Sequence, residues 1–104
     1  MPKSQNDSDT IVVTKTKKKT KTPKSYKVFL LNDDFTTMDF VVSILENVFK
    51  KTPSEAVQIM LQVHNQGKGV AGIFPLQIAE AKIDLVHTKA QGEGFPLRCT
   101  LEEA

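Results

Sequence analysis

Four side chains of this 104-residue chain could converge on one small cation. Asn32, Asp33 and Asp34 are adjacent and follow an apolar run, Val28-Phe29-Leu30-Leu31. An amphipathic pattern begins directly after them. Where a strand stops and a helix starts, such a corner can present an amide oxygen and carboxylate oxygens to a single positive group. His64 can add a ring nitrogen that accepts when the ring is neutral. Two other readings stay open. Asn-Asp-Asp ahead of threonine is also ordinary turn and cap chemistry. Asp33, Asp34 and His64 could instead hold a metal or exchange a proton. Against that, His87 falls on another helix without carboxylate spacing, and no glutamate supports the three. The single cysteine, Cys99, excludes an internal disulfide and a multi-cysteine zinc site.

Positioning these groups falls to a regular series of elements. Tyr26, Val28 and Leu30 alternate with Lys27 and Phe29, the pattern of a strand. Thr36 is placed to cap a first helix, with Asp39 at its third position as a variant capping box. Met38, Val41, Val42, Leu45, Val48 and Phe49 recur at steps of three and four and make one apolar face. Lys50 and Lys51 suit the negative end of that helix. Thr52-Pro53-Ser54-Glu55 is a full capping box with proline in the first helical position. The second helix carries Ala56, Ile59, Met60 and Val63 as its stripe, with Gly67 and Gly69 ending it. Val70–Phe74 reads as a short strand. Pro75 opens a third helix with Ala79, Ile83, Val86 and Ala90 on one face, terminated by Gly92 and Gly94. Leu97, Cys99 and Leu101 then alternate in a last strand. The order is strand, helix, helix, strand, helix, strand. No internal repeat and no phosphate-loop or dinucleotide fingerprint is present.

Helical spacing puts Met60, Val63 and His64 on one side of the second helix, and Met38 and Val41 on one side of the first. If the two helices pack antiparallel, the four apolar residues line a small pocket. His64 then sits at its rim, near the Asn32–Asp34 corner. The plainer alternatives are a methionine-filled core and a solvated histidine at a helix end.

Composition narrows the function classes. A chain of this length with 39% apolar residues suits one domain with a modest core. It has no apolar run of membrane-spanning length and no signal-peptide core, so a cytoplasmic protein without a membrane partner is expected. The net charge of +2 hides a division. Residues 1–24 carry seven Lys against two Asp, or +5; residues 25–104 carry seven Lys and Arg against ten Asp and Glu, or −3. The basic segment 1–24 is expected to be a disordered N-terminal extension, and 25–104 the folded domain. Lys17-Lys18-Lys19 could touch nucleic acid. An acidic domain without a basic surface favours a solvated tether and no nucleic-acid partner.

Four stretches, in order, resemble one family. They are Lys27–Thr36 with Met38 and Phe40-Val41, then Met60–Gly69, then Ala79–Lys82, and last Pro96–Glu102. Together they are similar to ClpS, the bacterial adaptor that recognises N-degrons for the ClpAP protease. The resemblance runs from about Tyr26 to Glu102 and leaves the tail uncovered. It implies an α/β fold of three antiparallel strands packed against three helices. It implies no enzyme activity, no cofactor and no metal. It implies binding of a substrate's first residue when that residue is Phe, Tyr, Trp or Leu. Delivery then follows through the N-terminal domain of the ClpA unfoldase. By the resemblance, Asn32, Asp34 and His64 bind the α-amine, and Asp33 lies near the peptide backbone or its water. The side-chain pocket falls on Leu31, Thr36, Met38, Val41, Met60, Val63 and Leu97, and the unfoldase-facing surface includes Glu80 and Lys82. Thr37 stands where many members have proline, and Gln77 where many have glutamate. The implied chemistry is sound. A protonated α-amine has three donors and no acceptor, and Asn32, Asp34 and a neutral His64 offer three acceptors with one neutralising charge.

Overall fold

Alternation in the first apolar run sets the architecture. Val28 and Leu30 point to the same side and are fully buried. Their strand, β1 (Ser25–Leu31), becomes the centre of the sheet. The structure, a computed structural model, describes residues 23–104. After β1 come α1 (Met38–Asn47), α2 (Pro53–Gln66), β2 (Lys68–Pro75), α3 (Leu76–Glu93) and β3 (Arg98–Glu103). Among the described residues this is the expected order of three strands and three helices. β2 and β3 flank β1, and both pairings are antiparallel. The basic extension expected at 1–24 lies outside the described residues, apart from Pro23 and Lys24.

One sheet face carries the core. Val28, Leu30, Ala71 and Cys99 meet Val41, Ile44, Leu45 and Val48 of the first helix segment, Ala56 and Val63 of α2, and Ala79, Val86 and Ala90 of α3. Small residues at α3's contact positions let that helix lie close to the sheet. Gly69 does the same for β2 beneath α2. A Cβ there would stand 2.9 Å from Val63 Cγ2 and 3.3 Å from the Ile59 carbonyl oxygen. The register of β1 against β2 shifts between Val28 and Phe29, leaving Ala71 as the extra residue of a bulge.

Several local expectations shift. Thr37, not Thr36, caps α1, with its hydroxyl accepting from the Phe40 N–H at 3.1 Å. The Thr36 hydroxyl instead points to Asp33, to which it donates, and Asp39 falls at the second helical position. α1 ends at Asn47, so Lys50 and Lys51 fall beyond its last turn, Lys50 with a left-handed φ of 58°. The negative end of α1 is served from elsewhere. Lys82 of α3 donates from Nζ to the Val48 carbonyl at 2.8 Å, and its ammonium lies 5.3 Å and 5.9 Å from the ring centres of Phe74 and Phe49. The Thr52–Glu55 capping box forms as expected, with both reciprocal hydrogen bonds present. Gly67 closes α2 with φ 91°, whereas Gly69 belongs to β2. Gly94 caps α3 with φ 79°, while Gly92 remains inside its last turn.

At the sheet edge, the Cys99 N–H donates to Nε2 of His87 at 3.0 Å. The histidine thus covers a backbone donor of an edge strand. Burial pushes the Cys99 thiol up to about 12. No helix among the described residues is long and apolar enough to cross a membrane.

Candidate functional site

The corner is built where β1 runs out. Leu31 is the last strand residue, and the Asn32 N–H then donates to the Gly67 carbonyl oxygen at 2.9 Å. Gly67 is the C-cap of α2, and His64 lies one turn back. One backbone bond therefore ties the acidic corner to the helix end that carries the histidine. Gly67 can fill this position because its φ of 91° is costly for other residues.

The turn that follows is fixed by Asp33. Its Oδ1 accepts from the Phe35 N–H at 2.8 Å and the Thr36 N–H at 2.7 Å, and its Oδ2 accepts from the Thr36 hydroxyl at 2.7 Å. Partial burial alone would raise the Asp33 carboxyl. The hydrogen bonds from Thr36 and Phe35 outweigh it and hold the group below the ordinary carboxylate value. Both oxygens of Asp33 are thus occupied within the turn. Its neighbour Asp34 is exposed, at the edge of a cavity.

That cavity has a volume of about 250 Å³. Its polar side is Asn32, Asp33, Asp34, Thr36 and His64, and its apolar side is Met38, Val41, Met60 and Val63. Val41 and Val63 are buried and form the floor, while Met60 is half-buried and Met38 is 45% exposed at the mouth. The lining includes two carboxylates and no lysine or arginine, so the rim attracts cations. Among the described residues, no group of three or more His, Cys, Asp and Glu side chains is arranged to hold a metal ion.

Motifs and helical spacing marked every residue of this lining except Thr36, which entered as a pocket candidate only through the family resemblance. Two other pocket candidates, Leu31 and Leu97, are not among these lining residues. Leu97 is 3% exposed and belongs to the core cluster. Leu31 follows the strand pleat to the face opposite Leu30, where it pairs with Lys68 and Arg98. Glu80 is exposed on α3, remote in sequence from the cavity elements, and Lys82 is half-buried against the end of α1. What spacing could not reveal is the use of Asp33 as the keystone of its own turn. A carboxylate two and three residues before exposed N–H groups is the only signal for it, and that signal is shared by many loops.

The arrangement can do one thing well: hold a compact cation at the rim while an apolar group fills the floor. The family model described as "ATP-dependent Clp protease adaptor protein ClpS" matches residues 21–100. The chain is 53% identical over 91 residues to the ATP-dependent Clp protease adapter protein ClpS of Desulfatibacillum aliphaticivorans, covering 88% of each chain. It is 48% identical over 103 residues to that of Nitratidesulfovibrio vulgaris strain Miyazaki F, covering 99% of each. Among solved structures it is similar to Agrobacterium tumefaciens ClpS2 bound to L-phenylalaninamide. There the TM-score is 0.77 and the identity 36%, over 80% of this chain and all of that one.

Proposed function

We propose that this chain, which belongs to the ClpS family of ATP-dependent Clp protease adaptors, binds substrates by a free N-terminal Phe, Tyr, Trp or Leu and delivers them to the ClpAP protease. The family is one of substrate adaptors and not of catalysts. The observation that carries the finer reading is the shared opening of Asn32, Asp34 and His64 over an apolar floor. A protonated α-amine donates to the Asn32 carbonyl, the Asp34 carboxylate and the neutral His64 ring, while the attached side chain descends onto Val41 and Val63. At about 250 Å³ the cavity suits one side chain, since pockets for larger ligands run from roughly 300 to 1,000 Å³.

Internal residues fail because their amide carries no charge to pair with Asp34. Burying a Phe or Leu side chain contributes about 1.5–3 kcal/mol, part of which is offset by the cost of association. Charge-assisted bonds at the amine then decide between a free N-terminus and a blocked one. Met38, at the mouth, is positioned to disfavour side chains branched at Cβ. Asp33 fixes the turn that sets Asp34 and, lining the cavity, keeps accepting capacity on Oδ2 for the peptide backbone or its water.

Delivery involves α3, with exposed Glu80 on the surface facing the ClpA N-terminal domain. Lys82 serves that surface indirectly, by bracing the end of α1. The basic extension 1–24 is the segment offered to the unfoldase, and the cytoplasm is where the encounter takes place. A short peptide beginning with Leu or Phe, compared with its N-acetylated twin, tests the central claim. Acetylation removes the charge and is expected to abolish measurable binding. Equal affinity for both would overturn amine recognition.

A further inference from the structure

Phe35 is 77% exposed, the most exposed of the large apolar side chains of the described residues. It stands between Asp34 and Thr36, both of which line the cavity. Its backbone is held outward. The Phe35 N–H and the Thr36 N–H both donate to Asp33 Oδ1, and the Thr36 hydroxyl donates to Oδ2. The ring thus stands on a pinned turn at the lip of a binding cavity, and not on a loose loop.

A peptide held by its α-amine must pass this lip. The amine nitrogen is anchored beside Asp34, whose Cα is about 3.8 Å from that of Phe35. An extended chain advances about 3.3 Å per residue, so its second and third residues leave the amine corner within roughly 7 Å of it. The apolar floor is already filled by the first side chain. An aromatic face at the exit has no other ligand atoms to meet than those of the next residues. Met38, 45% exposed at the same mouth, extends the apolar surface on the cavity side.

We propose that Phe35 forms a second subsite, which reads an apolar side chain at the second or third position of a substrate held by its first residue. The proposal rests on the amine-pocket reading above and adds to it a preference beyond the N-terminal residue. Aromatic contacts of this partly exposed kind contribute roughly three- to tenfold in affinity.

The test uses the full chain and its Phe35→Ser variant. Neither the turn's hydrogen bonds, which involve only backbone at this position, nor its φ, which is not left-handed, requires phenylalanine. The probes are L-phenylalaninamide, a Leu-Ser-Ser peptide, and versions of that peptide with Leu or Phe at position two or three. The expected result is that the wild type prefers an apolar second or third residue by roughly three- to tenfold. In Phe35→Ser that preference disappears while L-phenylalaninamide affinity stays within about twofold, and Phe35→Tyr restores it. A preference that persists in Phe35→Ser, or is absent from the wild type, overturns the proposal. So does a parallel loss of L-phenylalaninamide affinity, which would make the ring part of the first pocket. If the wild type ignores L-phenylalaninamide and accepts acetylated peptides, the amine-pocket reading falls first and takes this one with it.

Discussion

The two ends of α1 are secured in opposite ways. At its N-terminal end the chain ties itself down locally: Asp33 grips Phe35 and Thr36, and Thr37 caps the helix on Phe40. At its C-terminal end the tie comes from far along the chain, where Lys82 reaches across from α3 to the Val48 carbonyl. The local end is exposed and keeps Asp34 turned to the cavity rim. The distant end is half-buried, with the lysine stem and ammonium held among Phe49 and Phe74. One end of the helix borders an open cavity, and the other locks the fold. The difference teaches that charged residues near one helix divide into those left open at a cavity and those that fasten. Exposure and occupancy tell them apart, where charge does not.

The division is sharpest for Asp34. Asp34→Asn keeps the shape and one acceptor but removes the charge. A charge-assisted hydrogen bond is worth about 1.5–3 kcal/mol, so affinity for an N-terminal Leu peptide should fall by roughly 10- to 150-fold. Thermal stability should hardly change. Peptide titration beside a melting curve checks both. A large drop in melting temperature with unchanged affinity would place Asp34 among the fasteners.

Lys82→Met should do the reverse. It keeps much of the stem packing and deletes the donor to Val48. Unfolding stability should fall by about 1–2 kcal/mol, read as a lower urea midpoint at constant slope. L-phenylalaninamide affinity should move little. Intact stability together with lost docking to the ClpA N-terminal domain would return Lys82 to the exposed docking surface and erase the contrast.

Asp33 carries the smallest expected effect, because its environment is largely solvent-screened. Its carboxyl sits lower in the folded chain than in the unfolded one. The stability it contributes is therefore present above the ordinary carboxylate value and is lost as pH falls through the lowered folded value. Asp33→Asn should flatten that acid limb, at a cost on the order of 0.5 kcal/mol at neutral pH. Urea unfolding of both proteins from neutral pH into acid measures it. Identical acid limbs would mean that the turn is held by its backbone alone.

The same contrast separates what sequence could convey from what it could not. The corner was legible because its parts are adjacent in the chain, and the cavity wall because Met38 and Val41, or Met60 and Val63, share helix faces by spacing. The capping box at Thr52–Glu55 and the left-handed glycines at 67 and 94 follow from local chemistry as well. Thr36 and Thr37 compete for one cap, and only the claim of Asp33 on the first decides it. Ile44, buried at 2% exposure, extends the stripe beyond the residues named for it, lying three after Val41 and four before Val48. Leu31 on the outer side of the pleat and Leu97 within the core are pocket candidates by resemblance alone, because no local spacing ties either of them to the helix faces of the cavity wall. Lys82 is the clearest case of long-range placement. Nothing between positions 48 and 82 announces that a lysine will satisfy the last carbonyls of a helix 34 residues earlier.

The buried thiol of Cys99 has a practical bearing. The chain contains no other cysteine, and this one sits at 5% exposure with its proton held to about pH 12. Maleimides and iodoacetamides react with accessible thiolates, so the burial of Cys99 is expected to leave the native protein little labelled at neutral pH without any substitution. A cysteine introduced on the outer side of α2, at exposed Gln58 for instance, can then carry a single dye in defined stoichiometry. The protein is then suited to site-selective labelling with its cavity untouched, and its peptide binding can be observed one molecule at a time.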